Sequence, residues 1–403
     1  MLKRNLNLNL IPLEDALFKY FSKLEGLLKP GCEEISIKEC LDRITLTPVY
    51  AKINSPHYNA SAMDGIAVRS IVTNCACESN PIELKIDTDF INVNTGDPVR
   101  HPYDAVIMAE DLIEHNENFV KIIKSAMTMQ HVRPIGENIK AKEVILPEKH
   151  KIRPIDINVL LSGGIRHVNV FSKPKVAILP TGNEIIEISA LQEGEEPKEG
   201  VIIDSNSRMY EALVKQAGAI GKCFAPIPDD YNILKDIILK AANEFDMVLI
   251  NAGSSAGTED FTVQVLREIG EVIVHGVAVK PGKPVILAIV NGKPVIGTPG
   301  YPVSAYLSFV TFAAPVLSVL TGNKEKTVQK IEAVLSEKIT SSVNLREYIR
   351  VKLEHVNGKL TAFPLVRNSS VAMSLVKADG FCIIERGCEK KEKGETVIIE
   401  LIN

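Results

Sequence analysis

The sequence predicts a multidomain protein of α/β plus β class: a central doubly wound, mostly parallel α/β domain, a β-rich inserted domain with a linker domain, and a C-terminal small β-barrel. Three observations carry that expectation. Between Lys175 and Gly322 apolar strand-like runs alternate with helical stretches, the pattern of a parallel sheet covered by helices on both faces. Between Ile66 and Ile145 short β segments and turns follow one another with no long helix, and beyond Gly322 strands again dominate. A chain of 403 residues also exceeds the usual size of a single core.

In order, residues 12–25 place Leu13, Ala16, Leu17, Tyr20, Phe21 and Leu24 at helical spacing, with acids early and lysines late. Residues 1–25 are thus an N-terminal helix packing on the α/β domain. Residues 26–50 and 145–172 form the linker domain, the second piece reading as helix and then extended chain. The β-rich inserted domain is 51–144, with strands at 82–86, 91–93, 105–109, 119–123 and 144–146. The α/β domain is 173–324, with strands at 176–179, 201–203, 221–225, 247–251, 272–274, 285–290 and 294–297. Its helices are 205–217, 230–244, 259–269 and 302–320, the last kinked by Pro315. The C-terminal barrel is 325–403, with strands at 328–337, 346–354, 359–363, 381–385 and 395–401 and a short segment near Ala372–Ala378.

Composition narrows the functional class. The net charge of −4 gives no electrostatic reason to expect nucleic acid, and 5% aromatic residues with no Trp provide no base-stacking platform. Seven scattered cysteines without a C-x-x-C suit reduced thiols rather than a disulfide framework or zinc ribbon. Asn5, Asn7 and Asn9 interrupt any signal-peptide core, and no window approaches the ~18 apolar residues of a membrane span. The expected location is cytoplasmic, with no membrane association.

The chain is organised around Met247–Ser304. An apolar strand runs into Ala252-Gly253-Ser254-Ser255-Ala256-Gly257 and then the acidic helix start Thr258-Glu259-Asp260. Strand, small-residue turn and helix together cradle an anion, because glycines let the backbone approach and the helix start presents free N–H groups. Lys280-Pro281-Gly282-Lys283-Pro284 and Gly297-Thr298-Pro299-Gly300-Tyr301-Pro302 add two more turns, each after an apolar run. Three such turns can meet at one edge of a parallel sheet, where open α/β sheets bind ligands. The expectation is a site for a phosphate-bearing ligand and a second small oxyanion.

Individual residues are open to two readings. Asp260 is either a charge favourable to its helix dipole or a ligand of Mg²⁺, a hard cation that takes oxygen ligands and bridges phosphates. Asp246, ahead of the same strand, and Glu184, in Pro180-Thr181-Gly182-Asn183-Glu184, are its candidate partners. Lys280 and Lys283 are either solvated turn lysines or a prolyl-rigidified pair converging on a tetrahedral dianion. Ser304 is a first-turn serine or an oxyanion donor. Asp204-Ser205-Asn206 is an N-cap or a polar ligand contact. Arg367-Asn368-Ser369-Ser370 offers a guanidinium suited to oxyanions, while Arg346 and Arg350, on one strand at alternating spacing, read as an exposed sheet face. Cys223 and Cys382 read as core. No H-E-x-x-H, G-x-S-x-G, Walker A lysine or G-x-G-x-x-G occurs.

Taken together these residues resemble the molybdopterin molybdenumtransferase family of molybdenum-cofactor biosynthesis, to which the C-terminal domain of gephyrin is also similar. The resemblance spans nearly the whole chain. Its carriers are Ser61-Ala62-Met63-Asp64-Gly65, Thr95-Gly96, Arg133 with Gly136-Glu137, Thr181-Gly182-Asn183-Glu184, Asp204-Ser205-Asn206, and Gly253, Ser255, Gly257 and Asp260. Lys280-Pro281-Gly282-Lys283-Pro284, Pro299-Gly300 and Pro302-Val303-Ser304 complete the set.

The resemblance implies insertion of molybdenum from molybdate into adenylylated molybdopterin, with cleavage of its pyrophosphate assisted by a divalent cation, Mg²⁺, and release of AMP. It implies that Lys280, Lys283, Ser304, Arg367 and Ser370 hold molybdate and that Asp260 and Glu184 organise the metal. Thr181, Gly182, Asp204, Asn206, Gly253, Ser255, Gly257, Pro299, Gly300 and Pro302 would line the molybdopterin and nucleotide site. It further implies an elongated homodimer in which Asp64 and Thr95 act across the interface, with molybdopterin adenylyltransferase and molybdoenzyme-loading proteins as partners. Ala252, Asn138 and Tyr301 depart from the glycine, aspartate and asparagine of many members. Molybdopterin adenylylation and a gephyrin-like scaffold role are the alternatives.

Overall fold

A computed structural model describes residues 10–251, 261–323 and 328–402. The chain divides into two compact units, Glu33–Val170 and the remainder, Met1–Cys32 with Phe171–Asn403.

In the larger unit a six-stranded sheet runs in the order Ile220–Cys223, Lys175–Pro180, Met247–Asn251, Lys293–Thr298, Ile286–Val290, Glu271–His275. The first four strands are parallel; the last two are added antiparallel, because the Asn291-Gly292 turn makes a hairpin where a crossover would have kept the direction. Strand 201–203 lies outside this sheet and instead pairs, as Ile202–Ile203, with Ile185–Ile186.

The four inner strands are apolar on both faces because helices cover both. Val176, Ile178, Met247, Leu249, Leu287 and Ile296 pack under helices Leu13–Leu24, Asn206–Gln216 and the segment 302–321. Ala177, Leu179, Val248, Ile250 and Ala288 pack under Tyr231–Glu244 and Phe261–Ile269. Each fully buried Leu or Ile contributes about 1.5–3 kcal/mol to this arrangement.

The segment Pro302–Thr321 is a 20-residue helical run apolar enough to pass for a membrane span. Here its apolar side chains, among them Phe309, Phe312, Val316 and Leu320, are spent on the core. Its turn at Phe309–Ala313 is a π-helix. It lies just before Pro315, which has no N–H to offer the Thr311 carbonyl.

Strands Arg346–Val356, Lys359–Pro364, Lys330–Leu335, Thr396–Leu401 and Gly380–Ile384 pair in that order, and the last closes back on the first to make a five-stranded barrel. Ile349, Val351, Ala362, Cys382 and Ile399 fill it. The short strand Val279–Lys280 joins its outside, pairing Val279 with Arg346 and Lys280 with Glu347.

The smaller unit holds two three-stranded antiparallel sheets. One is Phe90–Val93, Gly65–Val68, Ala105–Met108; the other is Ile82–Lys85, Phe119–Ile122, Leu112–His115. Ile66, Phe90, Leu84, Val120 and Ile122 share one core. A separate cluster of Ile37, Cys40, Leu146, Ile152 and Leu160 forms around helix Pro154–Ser162.

Candidate functional site

The parallel strands end in register: Pro180 pairs with Asn251 and Asn251 with Thr298. The chain segments that follow all three therefore leave the sheet side by side at its carboxyl edge. Thr181 stays tied there, its N–H and hydroxyl both donating to the Asn251 carbonyl at 3.2 and 3.3 Å. Gly182 turns at φ +136°, and a Cβ on it would fall 2.8 Å from each carboxylate oxygen of Glu184. The Glu184 carboxylate thus folds back over the turn, exposed to solvent. Pro299 is buried behind this edge, whereas Gly300 is exposed on it.

Asn206 braces this edge from behind. Its side chain is buried, and its amide donates to the Gly300 carbonyl at 2.7 Å and to Asn251 Oδ1 at 3.2 Å. Both amide hydrogens are committed to bracing the turn of Gly300 and the strand end at Asn251. Asp204 accepts from Ser207 N at 3.1 Å and so caps its helix. Thr298 and Tyr210 extend the brace inward, Tyr210 OH donating to Thr298 Oγ1 at 2.7 Å and Thr298 Oγ1 to the Ile250 carbonyl at 3.2 Å.

Asp246 does not belong to this edge. It precedes strand Met247–Asn251, accepts from Lys175 N at 2.9 Å and lies 3.3 Å from Lys293 Nζ, at the opposite end of the sheet. Five residues of extended chain, about 16 Å, separate it from Asn251, so it is not a metal partner of Glu184. Gly253, Ser255, Gly257 and Asp260 lie outside the described residues. Among the described residues no three His, Cys, Asp or Glu side chains gather as a metal site.

From Thr298 the turn through Pro302 leads directly into the helix carrying Ser304, where a second cluster forms. Ser304 is buried in the first turn of Pro302–Ser308, and Val303 N donates to the Ser369 carbonyl at 3.2 Å. This docks the loop 366–370 on the helix start. Gly282, at φ +110°, lies where a Cβ would come 3.6 Å from Ser308 Oγ and 4.0 Å from the Ser304 carbonyl. The Lys280–Lys283 turn is therefore held against the same helix.

Lys280 Nζ sits 3.1 Å from Glu347 Oε1, and Arg367 reaches the same oxygen through Nε at 3.1 Å and through Nη2. Ser341 Oγ donates to Glu347 Oε2 at 2.8 Å. Burial works to raise the Glu347 pKa, but hydrogen bonds from Arg367, Ser341 and Lys280 outweigh it and hold the group below the usual carboxylate range. Ser370 donates its N–H and hydroxyl to Asn368 Oδ1 at 3.0 and 2.9 Å. Lys283 is exposed.

Two residues of this cluster escaped the sequence reading. Glu347 is only 2% exposed, although it stands among charges in Arg346-Glu347-Tyr348-Ile349-Arg350. The missed signal is period-two phase: Glu347 shares a face with Ile349 and Val351, which fill the barrel. Arg350 corrects the exposed-face expectation outright, being 1% exposed. Its Nη2 donates to the Val366 and Asn368 carbonyls at 2.6 and 3.3 Å, while Nε and Nη1 have no hydrogen-bond partner among the described residues. Burial lowers its pKa; the Glu347 charge works in the opposite sense.

In the smaller unit Asp64 and Thr95 meet. Thr95 N donates to Asp64 Oδ1 at 2.6 Å, and this bond together with one from the Thr95 hydroxyl lowers the Asp64 pKa. Gly65 cannot carry a Cβ, which would fall 2.0 Å from the Ile107 carbonyl, so Asp64 is fixed at the end of a tightly packed strand. Arg133 Nε bonds Glu137 at 2.6 Å, and Asn138 is exposed.

Residues 11–164 match the model of the MoeA N-terminal region (domains I and II), 177–319 that of a probable molybdopterin binding domain, and 332–402 that of the MoeA C-terminal region (domain IV). A putative molybdopterin biosynthesis protein of Methanocaldococcus jannaschii is 35% identical, covering 98% of each chain. A molybdopterin molybdenumtransferase of Haemophilus influenzae is 28% identical over 92% of this chain and 94% of its own. The crystal structure of a molybdopterin biosynthesis MoeA protein of Pyrococcus horikoshii superposes with a TM-score of 0.82 at 33% identity, covering 98% of this chain and 99% of that one.

Proposed function

Because this chain belongs to the MoeA, or molybdopterin molybdenumtransferase, family of molybdenum-cofactor biosynthesis enzymes, we propose that it inserts molybdenum from molybdate into adenylylated molybdopterin, releasing AMP. The observation that carries this reading is the continuity of the carboxyl sheet edge with the cation cluster. Thr298 ends a strand beside Asn251 and Pro180, and four residues later the same chain enters the helix of Ser304.

The adenylylated ligand lies along the edge, its phosphates facing the backbone of Thr181-Gly182 and Pro299-Gly300. Glu184 and Asp260 would hold Mg²⁺, which when bound neutralises charge on the pyrophosphate. Glu184 suits this by offering an exposed carboxylate at the edge. Lys280, Lys283, Arg350, Ser304 and the 366–370 loop receive the tetrahedral dianion beside it. Holding both guests on one rigid scaffold replaces a bimolecular encounter by an oriented one.

In a homodimer, Asp64 and Thr95 of one subunit complete the site of the other. Incubation with adenylylated molybdopterin, Mg²⁺ and molybdate tests the activity: AMP release with cofactor formation is expected, and its absence, with ATP consumed in a parallel incubation of ATP and molybdopterin, would mark the adenylylation step instead. Asp260→Ala and Asp64→Ala subunits, each inactive alone, should restore activity when mixed; failure of mixed dimers to do so removes the shared site.

A further inference from the structure

Two cations, Lys280 and Arg367, are set around one buried carboxylate, Glu347, which leaves an excess of one positive charge. The arrangement around the carboxylate is specific. Oε1 alone receives Lys280 Nζ and two donors of Arg367, while Oε2 is taken by Ser341. Lys280 comes from the α/β domain, on the strand that pairs Lys280 with Glu347, and Arg367 comes from a barrel loop docked on the Ser304 helix. A single oxygen that gathers a lysine and an arginine fork from two domains occupies the position that an oxygen of a tetrahedral oxyanion would take. The Lys280 and Arg367 side chains keep 44% and 35% of their exposure, so an ion arriving from solvent meets them first.

We propose that Glu347 is an internal stand-in for the oxyanion: it positions Lys280 and Arg367 in the unliganded protein and competes with the incoming dianion for them, thereby setting its affinity. The inference rests on reading this cluster as the oxyanion site. Its physical basis is that like charges sharing the same cations repel, an effect that a buried, water-poor site screens weakly. The same carboxylate keeps Lys280 and Arg367 from repelling one another while no anion is bound. Glu347 is thus a positioning residue, and it holds affinity below what the cations alone would give.

The test is calorimetric titration of the full-length protein with sodium tungstate alone, together with thermal unfolding with and without that salt. Glu347→Gln should bind tungstate at least about tenfold more tightly than the unsubstituted protein. It should also melt lower without the anion and gain more from it. A merely structural role would weaken binding, so the sign of the change decides. Glu347→Asp, which keeps the charge but draws it back from both cations, should also tighten binding and covers the case in which the glutamine variant does not fold. Unchanged or weaker affinity in the folded variants overturns the role of Glu347 while leaving the site standing. No tungstate binding by the unsubstituted protein overturns the site itself.

Discussion

Asn206 Nδ2 donates to the Gly300 carbonyl at 2.7 Å, joining the start of one helix to the turn that leads into another. The same nitrogen holds Asn251 at the end of the central strand. Asn206→Ala leaves the Gly300 carbonyl and the buried Asn251 amide oxygen without their donor, at a cost of about 1–3 kcal/mol. The turn carrying Gly300 should then lose its register with the strand edge. Urea unfolding should show that loss, and AMP release should fall at saturating molybdate. A variant with unchanged turnover would show that the brace serves folding alone.

Gly182→Ala asks an L-residue to adopt φ +136° and puts its Cβ 2.8 Å from both Glu184 oxygens. The strain costs on the order of 1–3 kcal/mol, and the exposed carboxylate is the part free to move. Glu184 should swing off the turn, so AMP release should require a higher Mg²⁺ concentration. Glu184→Gln should reproduce the Mg²⁺ shift without the stability loss; a wild-type Mg²⁺ dependence in both would take Glu184 out of the metal site.

Much of the architecture was legible because the sheet strands are short apolar runs whose partners need only be other apolar runs. Met247–Asn251 is buried at every position, and no polar signal had to be weighed to place it. What escaped was what depends on partners distant in sequence. The hairpin that makes 286–290 antiparallel and the burial of Glu347 and Arg350 are set by pairing. Asp246 was misplaced for a related reason: a residue before a strand and one after it look equally near to the strand, although they lie at opposite edges. Asn206 has the composition of an N-cap or of a ligand contact, and only Gly300, 94 positions away, shows it to be a brace.

Asp156 gives the smaller unit a pH-dependent contribution. It accepts from Arg153 N, Nε and Nη2 at 2.8, 3.1 and 2.9 Å and from His150 Nε2 at 2.6 Å, at the start of helix Pro154–Ser162. The Arg153 bonds foremost, against the effect of burial and with help from His150, hold its carboxyl far below the usual range. A depressed folded-state pKa means stability that is fully present above the unfolded value, about 3.9, and lost as pH falls toward the folded one. Asp156→Asn should therefore cost about 1–3 kcal/mol at neutral pH. The difference from the unsubstituted protein should shrink below about pH 4. A difference that stays constant down to pH 2 would mean that the charge is not what matters.

Arg350 and Glu347 should answer substitution with opposite signs. The Arg350 guanidinium is buried with two nitrogens unpartnered among the described residues, so its charge is carried at a desolvation cost that its two carbonyl contacts only partly offset. Arg350→Met removes that cost and also removes the donor to the Val366 and Asn368 carbonyls. The two changes should leave unfolding free energy within about 1 kcal/mol of the original. Tungstate affinity, by contrast, should fall about tenfold or more, because a charge-assisted contact to an oxyanion is worth roughly twice a neutral one. Combining Arg350→Met with Glu347→Gln should bring affinity back toward the unsubstituted value if both act on one anion. A double variant that binds as tightly as Glu347→Gln alone would place Arg350 outside the oxyanion's reach and leave it as a brace of the 366–370 loop.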